Sequence, residues 1–151
     1  MTDIGVMRAL VAARLAERRA AATELLRDVL TDTSTDPSGA AGPVSVLIAE
    51  YLLGLDHSVL LYAQAADGSS AANSAVVFAG IAGDLAAVEA ADARLASEAR
   101  HDDDIHAAVE EWFEQCWREA GGAAGTLPFL WMLEGDNEAY DLRTGLLVTP
   151  P

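Results

Sequence analysis

The stretch "HDDDIHAAVEEWFEQCW" (101–117) crowds metal-ligating and proton-carrying side chains into a few positions. Four residues apart, His106 and Glu110 share one face of a helix, and Asp103 falls at a similar angle. With His101 supplied from the preceding loop, such a set could hold a divalent metal. The two histidines are separated by four residues, which does not place both on one helical face, and no H-E-x-x-H pattern occurs. A helix start explains the same acids without a ligand. Any of Asp102, Asp103 and Asp104 can accept hydrogen bonds from the free amides of the first turn, and all three suit its positive end. No cofactor is therefore expected, with a divalent metal as the alternative.

A second constellation is spread over "VSVLIAEYLLGLDHSVLLYAQA" (44–65), where Glu50, His57 and Gln64 recur every seven residues. On a helix they form a polar seam, which is either a buried hydrogen-bond network or the wall of a small-ligand pocket. A glutamate beside a histidine could also serve as a general base. Seven helical residues separate Glu50 from His57 by about 10.5 Å along the axis, which favours the network. Ser58 follows His57 but sits in no G-x-S-x-G elbow. "GGAAG" (121–125) leads into strand-like sequence and lacks the helix start that a phosphate cradle requires.

Histidines on separate helices of a four-helix protein make the architecture similar to the DinB-like metal-dependent hydrolases and transferases. That family has a His-x3-His pair on a later helix, where this sequence has only His101 and His106. The resemblance carries no catalytic residue over. It leaves a competing reading, a metal-dependent enzyme of the bundle using His57, His101 and His106, with Glu110 as a further candidate ligand.

The elements that must position these groups follow from periodicity. Met7, Val11, Leu15, Ala22, Leu26 and Val29 recur at helical spacing and predict a helix over 6–30. Turn residues fill 31–43. Pro43 suits the first turn of a second helix over 43–65, apolar almost all round and therefore central. This run is long enough to span a bilayer, but Glu50, Asp56 and His57 in its middle argue for a buried helix and no membrane. A third helix over 70–99, capped by Ser69 or Ser70, carries Val77, Ile81, Leu85, Val88 and Leu95 as a stripe, with Gly80 and Gly83 marking close contact. The fourth runs over 103–120, burying Ile105, Val109, Trp112 and Cys116 and ending at Gly121. Residues 128–149 then read as three short strands with turns at "GDN" and "RTG", Asp141 bracing the second and Gly145 taking positive φ. The expected fold class is mainly α (α+β): one domain, a four-helix bundle closed by a small C-terminal antiparallel β-meander.

Composition narrows the function. The 151 residues hold 24 acids, nine arginines and no lysine, for a net charge of −15. Residues 1–31, with five arginines and four acids, are nearly balanced at +1, so the remaining 120 carry −16. Such a field repels nucleic acid and attracts basic proteins. A lysine-free, arginine-bearing composition also fits the codon bias of a GC-rich, bacterial genome. The single cysteine, Cys116, excludes a disulfide framework and suits a core position. Arg8, Arg14 and Glu17 interrupt the N-terminal apolar run, which argues against a secretory signal and for a cytoplasmic protein. Trp112, Trp117, Trp131, Met132 and Tyr140 either pack inside or form a docking patch.

These features point to a non-catalytic acidic helical binding protein, an inhibitor or immunity-type partner of a basic protein. Asp102, Asp103, Asp104, Glu110, Glu111 and Glu114 would steer that partner. Long alanine-rich helices also suggest a homodimer.

Overall fold

A computed structural model describes residues 3–35, 44–52, 56–65, 75–124, 128–133 and 138–149. Helix α1 (Ile4–Thr35) leads into strands β1 (Val44–Leu52), β2 (Ser58–Ala65) and β3 (Ala75–Phe78). Helices α2 (Ala82–Ala91), α3 (Ala93–Arg100) and α4 (Asp103–Glu119) follow, then a 3-10 turn at Gly122–Ala124. Strands β4 (Phe129–Leu133), β5 (Ala139–Asp141) and β6 (Leu146–Val148) complete the chain. All six strands lie in one sheet, ordered β3-β2-β1-β4-β5-β6. Among the described residues its only parallel pair is β1 with β4.

The fold is therefore α+β, and the four-helix bundle is corrected. The run read as a helix over 43–65 contains β1 and β2, an antiparallel pair with Leu52 opposite Ser58. Alternate residues of β1 serve opposite faces. Leu47, Ala49 and Tyr51 pack with the helices, whereas Val46 and Ile48 join a separate apolar cluster with Leu130 and Ala139. Apolar residues on both faces erase the period of two and mimic a helix buried all round.

The proposed helix over 70–99 is likewise divided. Its described part begins with β3, Gly80 turns the chain at φ 78°, and Asp92 breaks the rest into α2 and α3. The Asp92 carboxylate accepts from the Leu95 amide, so the break is a new helix start rather than a kink. Pro43, Ser69, Ser70, the "GDN" turn and most of the 31–43 connection lie outside the described residues.

Elsewhere the expected elements are present. On α1, Met7, Val11, Leu15, Ala22 and Leu26 are buried. On α4, Ile105, Val109, Trp112 and Cys116 form the expected buried face, extended by Phe113 and Trp117. Gly121 ends that helix at φ 91°. Asp141 accepts from the Arg143 amide at 2.9 Å, and Gly145 adopts φ 75°. The C-terminal meander is real, but it forms half of the sheet rather than a cap on a bundle.

One apolar core joins the four helices to strands β1–β4. All three tryptophans are buried, while Met132 and Tyr140 are partly covered. Tyr51, Phe113, Trp117 and Phe129 are among its largest fully buried members. Each contributes on the order of 2 kcal/mol through burial alone. No helix among the described residues is long and apolar enough to cross a membrane.

Candidate functional site: a closed histidine knot

The β1–β2 connection returns through Asp56 and His57, two successive non-glycine residues at φ 56° and 69°. Each such conformation costs on the order of 1–2 kcal/mol, so tertiary contacts must hold it. The contacts are present. The Asp56 carboxylate receives Arg100 Nε at 2.8 Å, and Arg100 also reaches Glu89 at 3.0 Å. The Asp56 carbonyl accepts from the Ile81 amide at 2.9 Å. Gly80 passes so close that a Cβ there would collide with this same carbonyl oxygen.

His57 is completely buried. Its Nε2 donates to the Ala99 carbonyl at 2.7 Å, and its Nδ1 accepts from the Tyr51 hydroxyl. The Ala99 carbonyl requires a proton on Nε2, and burial favours the neutral imidazole, whose Nδ1 accepts. Burial holds its pKa below the ordinary histidine value, partly opposed by the Ala99 hydrogen bond. Burial also pushes the Tyr51 hydroxyl up, reinforced by the negative charge of Glu110. His106 stacks on the Tyr51 ring, with centroids 4.6 Å apart and planes within 11°. Trp131 packs against Tyr51 from β4 at 5.7 Å.

Chemically, this arrangement is closed. Both nitrogens of His57 are spent on internal partners, and the imidazole has no exposed surface from which to take a substrate proton. What the knot does is mechanical: one ring ties the β1–β2 turn to the end of α3.

The polar seam does not form as expected. Glu50 and Tyr51 are neighbours on a strand, so their side chains project to opposite faces, and His57 joins the Tyr51 side. Glu50 is half-buried near Tyr62, whose hydroxyl is pushed up first by burial and then by the Glu50 charge. Gln64 stands opposite Val46 in the β1–β2 register. Heptad spacing on a helix would align these three residues; on the strands Glu50 and His57 serve opposite faces, and Gln64 pairs with Val46, four residues along β1 from Glu50.

Of the four proposed ligands, His57, His106 and Glu110 gather around Tyr51, whereas His101 stands apart. His106 Nε2 lies 3.8 Å from a Glu110 oxygen, as their spacing predicts. His101 is exposed, with Nδ1 2.9 Å from the Ser97 carbonyl. Among the described residues, no three His, Cys, Asp or Glu side chains converge to hold a metal ion.

The acidic run has divided roles. Asp102 caps α4 by accepting from the Ile105 amide at 3.0 Å and also receives a bidentate clasp from Arg8 at 2.8 and 2.9 Å. The Arg8 hydrogen bonds hold the Asp102 carboxyl below its ordinary pKa. Asp104 meets Arg8 as well, and Glu114 meets Arg118. Asp103 and Glu111 are exposed, Glu111 with Gln115 beside it.

Three arginines of α1, Arg14, Arg18 and Arg19, are spent within the fold. Arg14 reaches Asp84 and Glu17, and Arg19 pairs with Glu119. Arg18 donates to the carbonyls of Val77 and Val76, at 2.8 and 3.1 Å, on the outermost strand β3. With Arg8 at the N-terminal cap of α4 and Arg27 at the Glu119 carbonyl, α1 grips the rest of the fold along its length.

No protein-family model, curated protein or solved structure matches this chain.

Proposed function

We propose that this is a non-catalytic acidic binding protein whose partner is a basic protein, in the manner of an inhibitor or immunity protein. The observation that carries the reading is the fate of the arginines. Arg8, Arg14, Arg18, Arg19, Arg27, Arg100 and Arg118 are all engaged within the fold. The nine arginines offset only part of the 24 acids, which leaves a net charge of −15. Along α4, exposed Asp103 and Glu111 and half-buried Glu110 and Glu114 lie away from the centre of the buried face and, even with Arg118 paired to Glu114, leave that side net negative. Closure of His57 supports a binding role over general-base chemistry.

A net negative side accelerates encounter with a positively charged surface, an effect that salt screens. Affinity capture from an extract of the source cells, with wild type beside E110K/E111K/E114K, tests the reading. A basic protein retained in stoichiometric amount at low salt, and lost both in high salt and with the variant, is the expected result. Equal retention by the variant, or no stoichiometric partner, overturns it.

A further inference from the structure

The free edge of β6 suits a different occupant. β6 ends the sheet and has only β5 beside it in the strand order. Leu146 and Leu147 are 64% and 68% exposed, the two highest values among the exposed large hydrophobics. They are adjacent on a strand and so point to opposite faces, which leaves both sides of this edge open. An exposed apolar edge is a template for another strand.

We propose that the occupant is a second copy of this chain, paired antiparallel along β6 about a two-fold axis. Three observations select it. First, a protein of charge −15 repels its own copies, so self-association requires surface without acids. Residues 142–149, "LRTGLLVT", contain one arginine and no acid. Second, the residue pattern is self-complementary. Antiparallel pairing centred on Leu147 sets it against Leu147 of the second copy and Leu146 against Val148, apolar pairs in every case.

Third, the charges at the two ends of the edge are unlike. Arg143 is exposed at the turn end. At the other end, exposed Glu138 precedes Ala139, the residue opposite Val148. Antiparallel pairing brings the Arg143 end of one copy toward the Glu138 end of the other, whereas parallel pairing would set like with like.

A ladder this short buries less than the roughly 800 Å² per partner of a standard interface, so the dimer dissociates on dilution. Salt gives the proposal its signature. Screening relieves repulsion between two anions, so self-association strengthens as salt rises, whereas docking of a basic partner weakens. The failure of one reading is thus distinguishable from failure of the other.

Sedimentation velocity of the full chain over a wide concentration range, at low and high salt, tests the proposal with wild type and Leu147→Glu. Leu147 is exposed, so the variant should fold, and circular dichroism checks that it does. Expected is a monomer–dimer equilibrium in wild type, shifted at least several-fold toward dimer by salt and abolished in L147E. A wild type that stays monomeric at the highest concentration and salt overturns the proposal and leaves the edge to a partner's strand. A dimer that persists in L147E overturns it in favour of another interface.

Discussion

The two edges of the sheet are finished in opposite ways. At β3, the Arg18 guanidinium occupies the carbonyls of Val76 and Val77, and the Asp56–His57 knot with Gly80 lies beside it. At β6, two leucines stand in solvent and no described element lies beyond. Proteins normally blunt both edges, because an unpaired edge recruits strands. The contrast locates rigidity at one end of this sheet and availability at the other. Where polar chemistry is richest, around His57, everything is internally satisfied; where it is poorest, the surface is open.

Two glycines at positive φ, one at each end, break or sharpen this comparison most strongly. Gly80→Ala would combine a left-handed backbone with a collision against the Asp56 carbonyl, and a loss of about 3 kcal/mol is expected. Gly145→Ala carries only the backbone penalty, since its Cβ would meet the Tyr140 hydroxyl at an ordinary 3.4 Å. About 1 kcal/mol is expected there. Urea unfolding of both variants gives the difference; equal losses would mean that the β3 end is no more tightly determined than the β6 hairpin.

His57→Leu leaves the Ala99 carbonyl and the Tyr51 hydroxyl without their buried partner, at an expected cost of about 2–3 kcal/mol. Stability close to wild type would show that the imidazole does not tie the knot.

The pH dependence is smaller and has a definite sign. The His57 pKa is depressed in the folded state, so the unfolded chain binds the proton more readily. Its contribution is present above the unfolded value of about 6.5 and is lost as pH falls below it, by no more than about 1.4 kcal/mol per pH unit. Asp102 and Glu119, both held low by arginines, act in a separate window, below the ordinary carboxylate range of about 4. Unfolding midpoints measured between neutral pH and about pH 5 should fall in wild type. The His57 share of that slope should vanish in H57L; identical slopes would remove His57 as its source.

Arg18→Ala has the smallest effect on global stability and a local one on β3. Faster amide exchange over Ala75–Phe78, with β4 and β5 unchanged, is expected. Unchanged exchange in β3 would mean that the edge is protected by other means.

How much of this was legible in the sequence depends on how many faces an element buries. Helices α1 and α4 bury one face each, so Met7-Val11-Leu15 and Ile105-Val109-Trp112-Cys116 show a clear helical period. The β5–β6 turn is equally readable, because "DLRTG" fixes its turn through a local side-chain bond and a glycine. By contrast, β1 buries both faces, and its apolar run resembles a helix. Read that way, the run placed Glu50, His57 and Gln64 on one seam.

The better signal was "LGLDH", where Gly54 and Asp56 are breakers within an apolar run. The partners of His57 had no local signature. Tyr51 is six residues away and Ala99 forty-two, and only the folded topology joins them. Gly122 is similar: a Cβ there would strike the Trp117 indole, a constraint invisible in "GGAAG".

Residue-resolved amide hydrogen exchange in high salt, at low and high protein concentration, tests the contrast between the edges most directly. The predicted result is protection of β3 at both concentrations. The outward-facing amides of Leu146–Val148 should exchange fast when dilute and become protected when concentrated. Exchange in β3 as fast as in β6, or protection of β6 that ignores concentration, would contradict it.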